Sequence, residues 1–127
     1  MNKFLAYAPY AWLTFSGFGH FLADVVSQRL RGVRVPSLET TLYYGLNTSF
    51  ALSQVILGAL GTWLAWRAPE LLREVPLMVV ATLAALAWLA ITYLFMEYRE
   101  PKMNAVLVLG LLVASFVAGR PSLPGDE

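Results

Sequence analysis

The charged residues of this chain gather in short linkers, and four long apolar runs lie between them. The runs occupy about 5–26, 41–66, 77–98 and 103–118. Three of them reach the ~20 residues that a helix needs to cross a bilayer, and the fourth is near the short end of that range. A short span can sit untilted or thin the bilayer locally. Composition points the same way. Hydrophobic residues make up 58% of the 127 and charged residues 13%, against roughly 45–50% and ~25% in soluble domains. So short a chain has too little polar material to cover a water-exposed surface. The expected fold is all-α: one integral membrane domain over 1–127, a four-helix bundle running up-down-up-down with both termini on the same side. Residues 119–127 read as a polar tail.

The linkers set the boundaries. Lys3 and the following apolar residues imitate a leader peptide. The apolar character continues past Leu22 without a small-residue cleavage site, so the first run is read as a retained span. Pro9 is tolerated if the helix starts near Ala8. Tyr7, Tyr10 and Trp12 at one end, and Trp63 and Trp66 at the other end of span two, suit the headgroup level. Span one is expected to stop at 27–29, followed by a loop with Arg29, Arg31, Gly32, Arg34 and Pro36. Ser37 is a candidate cap for span two, with Thr40 three positions on. Gly58 and Gly61 offer a smooth surface to a neighbouring helix, as do Ala81, Ala84 and Ala85 in span three. Pro76 opens span three. The stretch 99–102, with Pro101, reads as a tight connection before span four. Counting basic residues gives Lys3, Arg67, Arg73 and Arg120 on one face and Arg29, Arg31, Arg34, Arg99 and Lys102 on the other. With the amino terminus added the faces tie, so the count assigns no orientation.

The chemistry concentrates in the first run. His20 is the only histidine, and Asp24 lies four residues on, one helical turn away on the same face. An ionisable pair inside a span is costly and marks a candidate site. His20 lies roughly 10 Å from the end of its span at 1.5 Å per residue. Asn47 lies at a similar depth in span two, and Thr92 and Tyr93 in span three. Asp24, Tyr43, Tyr44, Glu97 and Asn104 fall nearer the mouth. Polar groups from all four spans thus share one half of the bilayer. They outline a polar cavity opening towards the Arg29–Arg34 side. The candidate ligand-binding residues are His20, Asp24, Tyr43, Tyr44, Asn47, Tyr93, Glu97 and Asn104. The plainer reading of the same residues is helix joining: His20 bonds Asp24 or a tyrosine, and Asn47 and Gln54 tie helices at roughly 0.6–2 kcal/mol per contact.

Several classes are excluded. With one histidine and no cysteine the ligand count for zinc or iron is missing. A haem would find one axial histidine and at best Met96 as a second ligand. Gly17-Phe-Gly19 lacks the strand context of a nucleotide fingerprint. A net charge of +1 argues against nucleic acid as a partner.

Taken together, Gly17-Phe-Gly19-His20 in span one, Tyr43-Tyr44-Gly45-Leu-Asn47-Thr48 opening span two, and Pro101 before span four resemble a group of small bacterial four-span membrane proteins. The layout also looks like DoxX-type and EXPERA-type four-helix bundles. That resemblance implies a multi-pass protein of the bacterial inner membrane. It further implies quinone-side redox work for the first type, and sterol isomerisation or lipid binding with His and Glu for the second. No second deep acid stands where an isomerase would need one. Three functions follow in order. The first is a non-catalytic accessory subunit packed against other membrane subunits or its own copies. The second is a binder of a lipophile (quinone, lipid or pigment) around His20, no cofactor being required otherwise. The third is a small enzyme using His20 with Asp24 or Glu97 for proton transfer.

Overall fold

The computed structural model describes residues 3–119. Helix α1 runs Lys3–His20, continues as a π-helical segment over Phe21–Ser27, and ends with a short α2, Gln28–Leu30. Helix α3 covers Leu38–Arg67, a 3-10 turn covers Leu71–Arg73, α4 covers Val75–Phe95 and α5 covers Arg99–Ala118. All regular structure among the described residues is helical. By length and composition α3, α4 and α5 are apolar enough to cross a membrane. Of the expected tail over 119–127, Gly119 caps α5 and 120–127, with Arg120, lie outside the described residues.

The chain divides into two compact units. One is Tyr10–Thr62, and the other joins the described residues up to Pro9 with those from Trp63 to Gly119. In the first, α1 meets α3 at glycines. A Cβ on Gly58 would sit 2.6 Å from the Thr14 nitrogen and 2.7 Å from the Tyr10 carbonyl oxygen, and one on Gly61 would enter the Tyr10 ring. Gly17 answers from α1, where a Cβ would lie 3.0 Å from the Ala51 carbonyl oxygen and from Gln54 Cβ. The two backbones therefore approach as closely as only glycine permits. The Tyr10 ring is buried, because Gly61 leaves a notch that it fills.

The Ser37 cap forms: the Thr40 N–H donates to Ser37 Oγ at 3.1 Å. At thirty residues, α3 is about 45 Å long at 1.5 Å per residue, so it outreaches a bilayer core unless it tilts. Ahead of it, α2 closes with Gly32 at φ 61°. The Val33 N–H reaches the Gln28 carbonyl and the Gly32 N–H the Arg29 carbonyl, both at 3.2 Å. This pair of bonds is the glycine-dependent stop that satisfies a helix's last carbonyls.

In the second unit α4 and α5 pack against each other. Ala81, Ala85, Trp88 and Thr92 are buried on α4, and Pro101, Ala105, Val108 and Leu112 on α5. Both sets repeat with the spacing of one helical face. Pro76 lies at the start of α4.

Four sequence expectations are corrected. Span one does not stop at 26, because helical structure persists to Leu30. Pro9 lies inside α1 rather than at its first turn, since the helix is already formed from Lys3. Span three ends at Phe95: Met96 turns extended, so Glu97 and Tyr98 belong to a link rather than to a helix end. The stretch 99–102 is the first turn of α5 and not a connection, because a first turn has no use for the proline's missing N–H. The last helix is consequently 20 residues long, and the short-span argument lapses.

Candidate functional site

Within the Tyr10–Thr62 unit the sequence builds two facing columns. His20, Asp24 and Gln28 rise at intervals of four along the end of α1, the π segment and α2. A turn closed by i→i+5 bonds is wider than an α turn, which brings residues four apart nearly into line. Tyr43, Asn47, Phe50 and Gln54 form the opposing column on α3, at the spacing of one buried face.

The columns interlock. His20 Nδ1 lies 2.9 Å from Asp24 Oδ2, and His20 Nε2 lies 3.0 Å from Asn47 Oδ1. Asn47 Nδ2 donates to the Tyr43 carbonyl at 2.9 Å. Gln28 Nε2 donates to Asp24 Oδ1 at 3.3 Å and to the Tyr43 hydroxyl at 3.2 Å. Arg34 Nε donates to Gln28 Oε1 at 3.4 Å, and its guanidinium lies 3.5 Å from the Tyr43 ring centroid. Phe50 meets the imidazole edge-on, with centroids 5.2 Å apart. Asn47 is 3% exposed, and the His20 and Asp24 side chains are 9% and 23% exposed. The cluster thus grades from a sealed amide to an accessible mouth.

Donor and acceptor roles follow from the partners. The Asn47 amide cannot turn round without setting its oxygen against the Tyr43 carbonyl, so it presents an acceptor to the ring. Asp24 presents another. Both nitrogens of His20 therefore face oxygens of the cluster, and neither is turned towards an open cavity.

The remaining sequence candidates are placed otherwise. Tyr44 is half-buried, its ring edge-on to Tyr43 at 5.6 Å. Tyr93, Glu97 and Asn104 belong to the other unit. Tyr93 is exposed, with the Lys102 ammonium 5.2 Å from its ring. Glu97 is exposed in the link, and Asn104 is half-buried on α5. A groove of about 290 Å³ in that unit is walled by Val75, Met78, Val79, Thr82, Leu83 and Phe116, an apolar lining without any of the candidates. Among the described residues no group of three His, Cys, Asp or Glu is placed to hold a metal ion. Gln28 and Arg34 were missed as site members. The signal for Gln28 was available, since it continues the four-residue interval from His20 and Asp24.

Gln54 departs from the pattern. Its amide oxygen is buried and has no hydrogen-bond partner among the described residues. A stranded acceptor costs about 1–3 kcal/mol. Gln54→Met, which keeps the length and removes the acceptor, is expected to raise stability by about 1 kcal/mol, read as a later midpoint in reversible detergent unfolding. No family model matches the chain, and neither a curated protein nor a solved structure matches it.

Proposed function

We propose that the chain is a multi-pass protein of a bacterial inner membrane, crossing four times up-down-up-down. In this reading it is a non-catalytic accessory subunit packed against a larger membrane complex or against its own copies. Support for the crossings comes from three helices of spanning length and composition and from a fourth helical stretch, Lys3 to Leu30, of comparable reach. Their outward faces are apolar, with Val79, Leu83 and Leu94 on α4 and Val106, Leu107 and Val113 on α5 exposed.

The observation that carries the non-catalytic role is the closure of the His20 cluster. The polar side chains of His20, Asp24, Gln28 and Asn47 bond to one another and to Tyr43 and Arg34. A proton-transfer site needs a group directed at its substrate, and a lipophile site needs polar groups turned into a cavity. Here they are turned into the α1–α3 contact, where they fix register.

Purification from native membranes in mild detergent, followed by mass spectrometry of proteins and lipids, tests this reading. The expected result is a stoichiometric partner subunit, or the chain's own oligomer, with no stoichiometric small lipophile. A quinone, pigment or sterol-like lipid held one-to-one would overturn it in favour of the binder.

A further inference from the structure

We infer that the loop following α2 is a seat for the anionic headgroups of phospholipids, and that this end of the molecule lies on the cytoplasmic, anionic leaflet. The inference rests on the membrane reading above. Its first support is charge. Arg29, Arg31 and Arg34 occur within six residues, and no acid stands between Asp24 and Glu39. The other basic stretches are compensated: Arg67 and Arg73 alternate with Glu70 and Glu74, and Arg99 and Lys102 with Glu97 and Glu100. Among the three linkers between helices only the first carries a local excess of positive charge, three arginines against the lone Lys3 near the amino terminus.

The second support is what surrounds those arginines. Arg29 and Arg31 are exposed, and between and after them Leu30 is 82% exposed, Val33 57% and Val35 81%. Guanidinium groups alternating with bare aliphatic side chains are poorly suited to water alone. They suit the headgroup boundary, where aliphatic groups reach the acyl region and cations meet phosphate. Arginine matches a phosphate with paired N–H donors.

The third support is order. The stop at Gly32 holds the turn by two backbone bonds, and Arg31 Nε donates to the Ser27 carbonyl at 3.3 Å. Arg34 is drawn back over Tyr43, which ties the loop to the His20 cluster. The surface is thus shaped before a lipid arrives, and little ordering is lost on contact. Anionic lipids concentrate in the cytoplasmic leaflet, and basic residues near a span favour that side. The basic-residue count itself ties, and acids add little to it; the leaflet assignment rests on the local excess of positive charge that this loop offers to anionic headgroups.

The chain has no cysteine, so single reporters can be placed cleanly on the full-length protein. Val33→Cys and Leu83→Cys, each carrying an environment-sensitive fluorophore, are reconstituted in phosphatidylcholine with or without phosphatidylglycerol. The Leu83 label is expected to read as apolar in both. The Val33 label is expected to shift towards an apolar reading when phosphatidylglycerol is present, and salt should reverse the shift. Arg29→Gln with Arg31→Gln is expected to abolish that shift and to lower the preference for spin-labelled phosphatidylglycerol by up to about fivefold per arginine. In spheroplasts, Val33→Cys should resist a membrane-impermeant maleimide that labels it in inverted vesicles. A Val33 label indifferent to lipid charge beside an apolar Leu83 label sinks the headgroup seat alone. A Leu83 label in water sinks the membrane reading with it. Labelling of Val33→Cys in spheroplasts overturns the leaflet assignment.

Discussion

Gly58→Ala is expected to cost about 2–3 kcal/mol, the upper part of the range for overpacking a close contact, and Gly58→Leu to separate α1 from α3 altogether. The new methyl would meet the Thr14 nitrogen and the Tyr10 carbonyl oxygen, both main-chain atoms. No rotamer change relieves such a clash, so one helix must move away from the other. Gly61 provides the contrast, because its obstruction is the Tyr10 ring, a side chain. Gly61→Ala should be destabilising in the parent and nearly harmless alongside Tyr10→Leu, whereas Tyr10→Leu should not rescue Gly58→Ala. Gly45→Ala, with nothing within 4 Å of the added carbon, should be neutral or stabilise by up to ~1 kcal/mol through helix propensity. Reversible unfolding in mixed detergent micelles, followed by far-UV circular dichroism, measures all of these. Equal losses at positions 45 and 58 would show that the α1–α3 approach is not as close as described.

Asp24→Leu is expected to be the most damaging single change in the polar cluster, at about 1–3 kcal/mol, because it takes the facing oxygen from His20 Nδ1 and from the Gln28 amide at once. His20→Leu should cost less, since Asp24 is partly exposed and keeps its bond from Gln28. The double replacement is expected to be less damaging than the sum of the two, because the His20–Asp24 contact is lost only once. Asn47→Leu separates the other contact, since it removes the oxygen facing Nε2 while the His20–Asp24 contact remains, at an expected cost of about 1–3 kcal/mol. A double-mutant cycle on the same unfolding assay reads the coupling. Strict additivity at positions 20 and 24 would mean that the contact seen at 2.9 Å carries no energy.

The helices were legible because their cause is local. Apolar runs, a Ser37 cap and Pro76 at a permitted position act within a turn of themselves. The glycines at 58 and 61 could be recognised as a packing surface without knowing which helix would use it. What escaped was decided by geometry beyond one turn. Pro101 is compatible with stopping a helix and with opening one, and the extended Met96 selects the second. That choice removed Glu97 from a helix end and took away its expected depth. The π segment was also invisible, because nothing in Phe21–Ser27 distinguishes a wide turn from an α turn by residue type. Gln28 continues the interval from His20 and Asp24, but it falls where span one was expected to stop, so its bonds to Asp24, Tyr43 and Arg34 went unread. The depth argument grouped polar residues from four spans, and hydrogen bonds gather His20, Asp24, Gln28, Tyr43 and Asn47 from the Tyr10–Thr62 unit. Burial depth ranks residues along a helix axis and says nothing about the azimuth at which each one points.

Azimuth is where Phe21–Ser27 matters most. A broader coil turns through a smaller angle per residue, so these seven residues accumulate less rotation than an α-helix of the same count. Everything beyond Ser27 is phased differently as a result. A sequence change that tightened this coil would keep every group in the cluster and still misalign them, with Gln28 swung past the Tyr43 hydroxyl and the Arg34 guanidinium off its ring. The pairing is therefore encoded in helical pitch as much as in residue identity, and conservative edits between 21 and 27 are not silent by default.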